Sequence, residues 1–428
     1  MLRRAGQAGM SLMALASALM ILGCSTVPIE LVETHAAMDA KVTIRVVAPS
    51  DKAARVAADA AWKEMDLCIR LFDAGRKPSE AWLKNDPHAR VDPHQMPSDV
   101  WRINDTAGRL YSIEVSPVTA SCLEVCTDAY KSTEGAFDPS VGPLLELWRQ
   151  AENRGRPPTQ DEVVKARAAV GFKNVEIVIA SVMKPPEEVR RVSPDMPPPE
   201  AGELSKVTRT VGIHEGMSLD LGGIVKGYVA GRMTTRMQQA GAKAGLVAFG
   251  GQTATFGEQP RRFMRHVQGK PQEEVTRKGR DRRWAVGVQD PRFPDDPAKT
   301  YTTLRLQDQS AGTASAVGRA FTIQGRRYSA ILDPKTGWPA ASPIVSVTVA
   351  TADPGLAQAF AAAIAVMGVE KGMKMAGVED LECLILEVGP KDLEAWQSGG
   401  ALPAGAEIIA HRSSGMAEME ARSPDNDE

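Results

Sequence analysis

The sequence predicts an α+β protein in which strands and helices alternate along the chain and hairpins are prominent. Residues 344–351 alternate apolar and polar side chains with a period of two, and residues 42–47 carry apolar side chains on one face, as expected for strands. Ser50 precedes an alanine-rich segment with apolar residues at helical spacing, and Ser116 with Pro117 has the pattern of a second helix N-terminus. Strand and helix signals are therefore interleaved, and no internal repeat is visible.

The remaining elements follow from the same signals taken in chain order. Thr159 and Glu162 form a capping-box pattern, and Gly171 closes the short helix that it begins. The predicted helices cover residues 51–71, 117–135, 160–171, 220–237 and 354–368. Further strands are predicted at residues 175–180, 246–249, 283–288, 301–306, 320–323, 328–332 and 384–388.

Three polar segments are expected to lie between these elements. Residues 86–98 are rich in Pro, His and Asp, which is typical of a loop. Residues 184–203 contain six prolines, and residues 258–283 are polar and basic. We expect both to be exposed insertions, and we expect the basic run 277–283 to be a solvated loop.

Length and charge exclude some functional classes. The chain has 428 residues, enough for two average domains or one large one. Its 51 Lys and Arg against 53 Asp and Glu give a formal net charge of −2. No overall field therefore favours nucleic acid, and we expect no nucleic-acid partner.

The start of the chain has the pattern of a bacterial export signal. Arg3 and Arg4 precede an apolar stretch at residues 10–22, which is shorter than the roughly 20 residues of a membrane span. The stretch ends in Gly23-Cys24, which resembles a lipobox. We therefore expect a signal peptide at 1–23, lipidation of Cys24, a tether at 24–36 and a lipid-anchored, periplasm-facing place in the bacterial cell envelope.

The expected domain covers residues 37–390. Residues 391–428 are predicted to form a C-terminal extension that is disordered beyond about residue 413, because its end is polar and acidic. Cys122 and Cys126 lie four residues apart on a predicted helix, so buried thiols are expected there rather than a disulfide.

The most specific local feature is the segment LDLGGIVKG at residues 219–227. Glycines at the start of a helix let backbone N–H groups approach an anion, and Lys226 in the first turn could pair with phosphate. The glycine spacing fits neither a P-loop nor the dinucleotide fingerprint. A tight turn with a helix cap explains the segment equally well when it is taken alone.

Five short motifs occur in an order that resembles the FAD:protein FMN transferase (ApbE) family. They lie at residues 136–144, 219–227, 250–251, 284–292 and 328–339. The resemblance implies the flavin-transferase (ApbE-like) fold, with mixed sheets flanked by helices and a nucleotide cleft. It also implies an Mg²⁺-dependent cleavage of FAD that moves FMN onto a Ser or Thr of an acceptor protein through a phosphoester bond, with release of AMP.

The resemblance also assigns residues. The positions matching flavin contacts are Met38, Ala136, Phe137, Asp138, Asp220, Lys226 and Leu332, and Gly223 matches a residue whose backbone carbonyl binds the metal. The catalytic His of the family falls on Ala330, so the catalytic residue stays unknown. The two side-chain metal ligands fall on Gln358 and Ala362, and the acidic residue of the family's GGD motif falls on Gln252.

These departures leave three functions open. The protein could be a working flavin transferase with a rearranged site, in which Glu258, Asp290 or Asp333 supplies a carboxylate. It could be a catalytically degenerate FAD- or nucleotide-binding envelope lipoprotein. It could also be a lipoprotein that uses the scaffold only for protein contacts.

Overall fold

The structure is a computed structural model that describes residues 27–75, 97–109, 112–183, 204–318, 320–340 and 342–420. The chain forms an α+β fold, as predicted. Its strands are β1 (Ile29–Ala37), β2 (Ala40–Ala48), β3 (Ile113–Glu114), β4 (Glu176–Met183), β5 (Leu204–Gly212), β6 (Ala244–Phe249), β7 (Gln252–Phe256), β8 (Arg262–Val267), β9 (Glu273–Thr276), β10 (Trp284–Gln289), β11 (Thr300–Leu306), β12 (Ser310–Ser315), β13 (Ala320–Ile323), β14 (Arg326–Ser329), β15 (Ile344–Thr351), β16 (Glu382–Val388) and β17 (Ile408–Arg412).

The helices surround these strands. They are α1 (Asp51–Phe72), α2 (Asp99–Asp105), α3 (Pro117–Ser132), α4 (Gly142–Arg154), α5 (Gln160–Arg167), α6 (Val225–Gln239), α7 (Pro354–Met367), α8 (Val369–Val378), α9 (Pro390–Gln397) and α10 (Ser414–Met419). None of the helices in these described ranges is long and apolar enough to cross a membrane.

Ten strands form the main sheet, in the order β17-β16-β15-β12-β7-β6-β2-β1-β8-β9. Neighbouring strands in it are antiparallel except β1 and β8, which are parallel. The described chain adds the hairpins β10-β11 and β13-β14 and the small sheet β3-β5-β4. The largest hydrophobic core lies between the main sheet and helices α1, α3, α6 and α7.

Several local predictions are confirmed. The side chain of Ser116 accepts a hydrogen bond from the backbone N–H of Thr119 at the start of α3. Thr159 and Glu162 form the predicted capping box. The thiols of Cys122 and Cys126 are buried and free, and those of Cys68 and Cys383 are also free. Burial raises the pKa of the Cys68 thiol to about 12, which makes this group unreactive at neutral pH.

The prediction of a tether over residues 24–36 is wrong from residue 29 onward, because β1 begins at Ile29 and pairs with β2 along its whole length. The strand was missed in the sequence because the charged Glu30 interrupts its apolar pattern. The Glu30 carboxylate is only 1% exposed, and it accepts hydrogen bonds from Arg45 on the next strand and from Arg265, which is 235 residues away in the sequence. The domain therefore starts before residue 37. Cys24 and the expected signal peptide lie outside the described residues.

The C-terminal boundary is also wrong. β17 pairs with β16 and extends the main sheet, and α10 follows it with the side chain of Met416 fully buried. The domain therefore continues past residue 390 and past residue 413, to at least Glu420, whose carboxylate accepts a hydrogen bond from Arg412. Residues 421–428 lie outside the described ranges.

Residues 258–283 are not wholly an exposed insertion, because β8 and β9 lie within them and form the edge of the main sheet. Phe263 on β8 is fully buried. The other predicted insertion, residues 184–203, and most of the predicted loop at 86–98 lie outside the described residues.

Candidate functional site

The glycine-rich segment forms a turn that leads into α6. The backbone N–H of Asp220 donates to the carbonyl of Pro139 at 2.8 Å, which ties this turn to the motif at residues 136–144. One carboxylate oxygen of Asp220 accepts the N–H of Gly222 at 2.8 Å. A backbone hydrogen bond therefore joins the two motifs, although about 80 residues separate them in the sequence.

Gly227, the last residue of the segment, allows α6 and α7 to come together. A β-carbon at this position would lie 2.0 Å from the carbonyl oxygen of Pro354, the first residue of α7. One turn later, a β-carbon at Gly231 would lie 2.9 Å from the ring of the same proline. The close approach of the two helices places the first turns of α7 beside the glycine-rich turn.

Gln358 on α7 bridges the two ends of the glycine-rich turn. Its Oε1 accepts the backbone N–H of Gly227, and its Nε2 donates to the backbone carbonyl of Gly222, each at 2.8 Å. The side chain is 7% exposed. The orientation of the amide is fixed by its partners, because an N–H requires the oxygen and a carbonyl requires the nitrogen.

Both carboxylate oxygens of Asp138 accept hydrogen bonds, one from its own turn and the other from Phe172. Its Oδ1 accepts the backbone N–H of Ser140 at 2.8 Å and the Ser140 hydroxyl at 2.5 Å, and its Oδ2 accepts the N–H of Phe172 at 3.2 Å. Burial raises the pKa of the Asp138 carboxyl, against the lowering effect of these hydrogen bonds. The carboxylate thus supports the turn that carries Ala136 and Phe137.

Two cavities adjoin at the glycine-rich turn. The smaller has a volume of about 490 Å³ and the larger about 1190 Å³. Gly222, Thr313, Ser315 and Gln358 line both of them. Their combined size suits a ligand as large as a dinucleotide, since pockets for drug-sized ligands usually hold about 300–1,000 Å³.

The structure brings together all the residues assigned to flavin contacts, but divides them between the cavities. The smaller cavity is lined by Ala136, Phe137, Asp138, Asp220 and Leu332, together with Gly223 and Ala330. Met38 and Lys226 line the larger one. The Lys226 ammonium lies 5.9 Å from the ring centre of Phe249, close to the Gly250-Gly251 motif. Phe137 and Leu332 therefore give the smaller cavity an apolar wall, and Lys226 places a cation in the larger one.

Sequence analysis missed one face of this site. Leu145, Arg149 and Glu152 on α4 line the smaller cavity, and a guanidinium nitrogen of Arg149 lies 3.7 Å from a carboxylate oxygen of Asp220. Their spacing of four and then three residues places them on one side of a helix. This pattern was visible in the sequence directly after the motif at 136–144.

The residues at the expected magnesium site do not fit Mg²⁺. The Gln358 amide is engaged on both sides, and its NH₂ group points at a carbonyl oxygen of the turn. Ala362 lines the smaller cavity with a methyl group, which cannot bind a cation. Magnesium prefers carboxylate and water oxygens, whereas no cluster of three or more His, Cys, Asp or Glu with metal-binding geometry occurs in the described ranges.

The three carboxylates suggested as replacements are also absent from the linings of both cavities. Asp290 forms an ion pair with Arg292 at 2.6 Å, which lowers the pKa of its carboxyl. Asp333 accepts the backbone N–H of Lys335. Glu258 pairs with Arg282 at the edge of the molecule.

A ten-stranded sheet with a glycine-rich turn between two cavities defines an α+β protein built around a nucleotide-sized cleft. Comparison with known families narrows this description to one family. The chain belongs to the ApbE family, whose sequence model matches residues 38–385.

Individual relatives agree with this membership. A protein named FAD:protein FMN transferase from Klebsiella pneumoniae (strain 342) is 27% identical over 276 residues, which cover 64% of this chain and 70% of that protein. The ApbE protein from Thermotoga maritima is 25% identical, with a TM-score of 0.61, over 92% of this chain and all of that one. The flavinyl transferase ApbE from Pseudomonas stutzeri, at 18% identity and a TM-score of 0.60 over 92% of this chain and 98% of that one, shares the fold.

Proposed function

We propose that this protein binds FAD across the two adjoining cavities and transfers its FMN part to a Ser or Thr hydroxyl of an acceptor protein. Membership of the ApbE family and the relatives named FAD:protein FMN transferase support this function. The observation that carries the proposal is the position of the glycine-rich turn. It lies where two adjoining cavities meet, one with an apolar wall at Phe137 and Leu332 and the other containing Lys226, which suits a dinucleotide with two ring systems and a central pyrophosphate.

Different residues of the chain bind different parts of FAD. Phe137 and Leu332 give the smaller cavity an apolar wall that suits a flat heterocycle. Lys226 supplies positive charge for the pyrophosphate in the larger cavity, beside the N-terminal turn of α6. In the transfer, the bond between the FMN phosphorus and the oxygen that stays with AMP breaks. A bond forms from that phosphorus to the acceptor oxygen, and the hydroxyl proton is released.

A second function, FAD binding without transfer, is favoured by three other residues that line the smaller cavity. Ala330 cannot accept the acceptor's proton, and the Gln358 amide and the Ala362 methyl group replace metal ligands of the family. Enzymatic phosphoryl transfer depends mostly on positioning and on neutralising charge, so these losses act on the chemical step more than on binding.

One experiment separates the two functions. The domain beginning at residue 27 is incubated with FAD, Mg²⁺ and an acceptor domain known to be flavinylated, and covalent yellow fluorescence and AMP are measured. A reaction without acceptor is the control. Transfer predicts both signals in equal amounts. Quenching of FAD fluorescence with neither product identifies a binding protein, and absence of quenching rejects both functions.

We also propose that the protein is exported and anchored to the bacterial envelope through a lipid on Cys24, facing the periplasm. The charged start, the short apolar stretch and Cys24 at its end support this location. Labelling with a radioactive fatty acid should mark the wild-type chain and leave Cys24→Ala unlabelled. Equal labelling of both, or labelling of neither, would reject the anchor.

A further inference from the structure

The first turns of α7 carry a single buried polar side chain in an otherwise alanine-rich surface. Ala357, Ala359 and Ala361 are fully buried, and Gln358 lies among them with both ends of its amide bonded to the glycine-rich turn. A buried amide is costly unless its hydrogen bonds are made. Here the donor and the acceptor are each satisfied by a backbone group of the turn.

We propose that Gln358 takes the place of a divalent cation, so that a neutral amide, rather than a metal, holds the glycine-rich turn in its ligand-binding shape. A cation would attract the oxygen atoms around it, including backbone carbonyl oxygens of the turn. The Gln358 NH₂ group also attracts a carbonyl of the turn, as a hydrogen-bond donor to Gly222, the neighbour of the Gly223 whose carbonyl was expected to bind the metal. Its oxygen holds the N–H of Gly227 at the other end, which a cation could not do.

The charges around the bridge agree with this replacement. Two carboxylates that line the smaller cavity are already hydrogen-bonded, Asp138 to Ser140 and Asp220 to the Gly222 N–H. On the other side, Gln252 presents a second neutral amide, 5% exposed, whose Nε2 donates to the carbonyl of Thr313 at 3.1 Å. Both glutamines thus stand where the family places acidic residues. Neutral side chains at these positions avoid the repulsion that two carboxylates would exert on a pyrophosphate in the absence of a metal.

This inference rests on the proposed function only in calling the turn a ligand-binding one. The bridge itself is a property of the protein without ligand, so it can be tested without FAD. The isosteric substitution Gln358→Glu is the sharpest test, because it keeps the size of the side chain. It replaces the donor facing the Gly222 carbonyl with a second, negatively charged acceptor.

The experiment measures the melting temperature of the full-length protein in EDTA and in millimolar Mg²⁺. We expect the wild-type melting temperature to be the same in both. Gln358→Glu should melt roughly 5 °C lower in EDTA, since it leaves two buried oxygen atoms facing each other without a bridging donor. Mg²⁺ should restore part of this loss in a saturable manner, because a cation between the two oxygens removes their repulsion.

Gln238→Glu is the matched control, because it makes the same charge change on an exposed position of α6. It should melt like the wild type in both buffers. A saturable rise of the wild-type melting temperature with Mg²⁺ would overturn the proposal. So would a Gln358→Glu variant that melts like Gln238→Glu in EDTA. Failure of the protein to bind or transfer flavin changes none of these outcomes, so the two proposals fail separately.

Discussion

The two sides of the cleft differ in what their motif residues do for the fold. On the side of the motif at 136–144, Asp138 accepts hydrogen bonds from two groups of Ser140 in its own turn and from the N–H of Phe172, and Gly227 permits the contact between α6 and α7. On the side of α7, Ala362 lines the smaller cavity with a methyl group, and Gln358 forms both of its hydrogen bonds with the glycine-rich turn.

This difference shows which motif residues a family scaffold can lose. A residue that holds the fold persists whether or not the site works, because its loss costs stability. A residue that serves only the chemical step is free to change once that step is slow or unnecessary. The retained motifs of this chain are therefore evidence for the scaffold and for its cleft, and they are weaker evidence for catalysis.

The largest effect is expected at Gly227, on the retained side. Gly227→Ala should reduce the free energy of unfolding by about 3 kcal/mol or more, because its methyl group would overlap the Pro354 carbonyl and force the helices apart. Gly377→Ala on α8 is the control, since nothing lies within 4 Å of its added carbon, and it should stabilise by up to about 1 kcal/mol. Urea unfolding measures both. Equal stabilities would show that the interhelical contact is not tight.

Asp138 should give the next largest effect. Asp138→Ala leaves the N–H groups of Ser140 and Phe172 without their acceptor, which should cost about 2–3 kcal/mol of unfolding free energy. Asp138→Asn keeps the acceptor for Ser140 and should cost only about 1 kcal/mol. If Asp138→Ala unfolds like the wild type in urea but loses FAD binding, this carboxylate serves the ligand and not the fold.

Restoring the family's residues at three changed positions tests whether the loss of those residues limits catalysis. The triple substitution Ala330→His, Gln358→Asp and Ala362→Thr should raise Mg²⁺-dependent FMN transfer at least about tenfold, equivalent to roughly 1.4 kcal/mol of barrier. It returns a base and two oxygen ligands that suit Mg²⁺. Ala330→His alone is the control, and its gain should be smaller. An unchanged rate in the triple variant would contradict the assignment of these three positions.

The smallest effect concerns Lys226 in the larger cavity. Lys226→Ala should weaken FAD binding about fivefold, because a partly exposed ion pair contributes up to about 1 kcal/mol. Lys243→Ala removes the same charge from an exposed position outside both cavities, and its dissociation constant for FAD should match the wild type. Equal affinities of the two variants would place the pyrophosphate away from Lys226.

Local signals predicted much of this fold. The boundaries of β13 and β15 agree with the predicted ranges, and the caps of α3 and α5 were visible in their own residues. β1 and β8 were missed although β1 also pairs with its neighbour β2, because their mutual pairing joins residues 235 positions apart in the sequence, such as Glu30 and Arg265. β17 was missed because it lies in the segment that was predicted to be an extension outside the domain. The burial of Glu30 shows the reason, since only Arg45 and Arg265 make it possible.

The residues that form the site were predictable from the sequence, but their three-dimensional arrangement was not. Every position assigned from the motifs lines one of the two cavities or, for Gln358, both. The double hydrogen bond of Gln358 was not predictable, because it depends on how closely Gly227 lets α7 approach the turn. The role of α4 was missed because Arg149 belongs to none of the five motifs.

The most direct test of this account is a titration of the wild-type domain with FAD, followed by flavin fluorescence, in EDTA and again in Mg²⁺. The account predicts saturable quenching with the same dissociation constant, within about twofold, under both conditions, because the cleft is formed without a metal. Absence of quenching, or quenching that requires Mg²⁺, would contradict it.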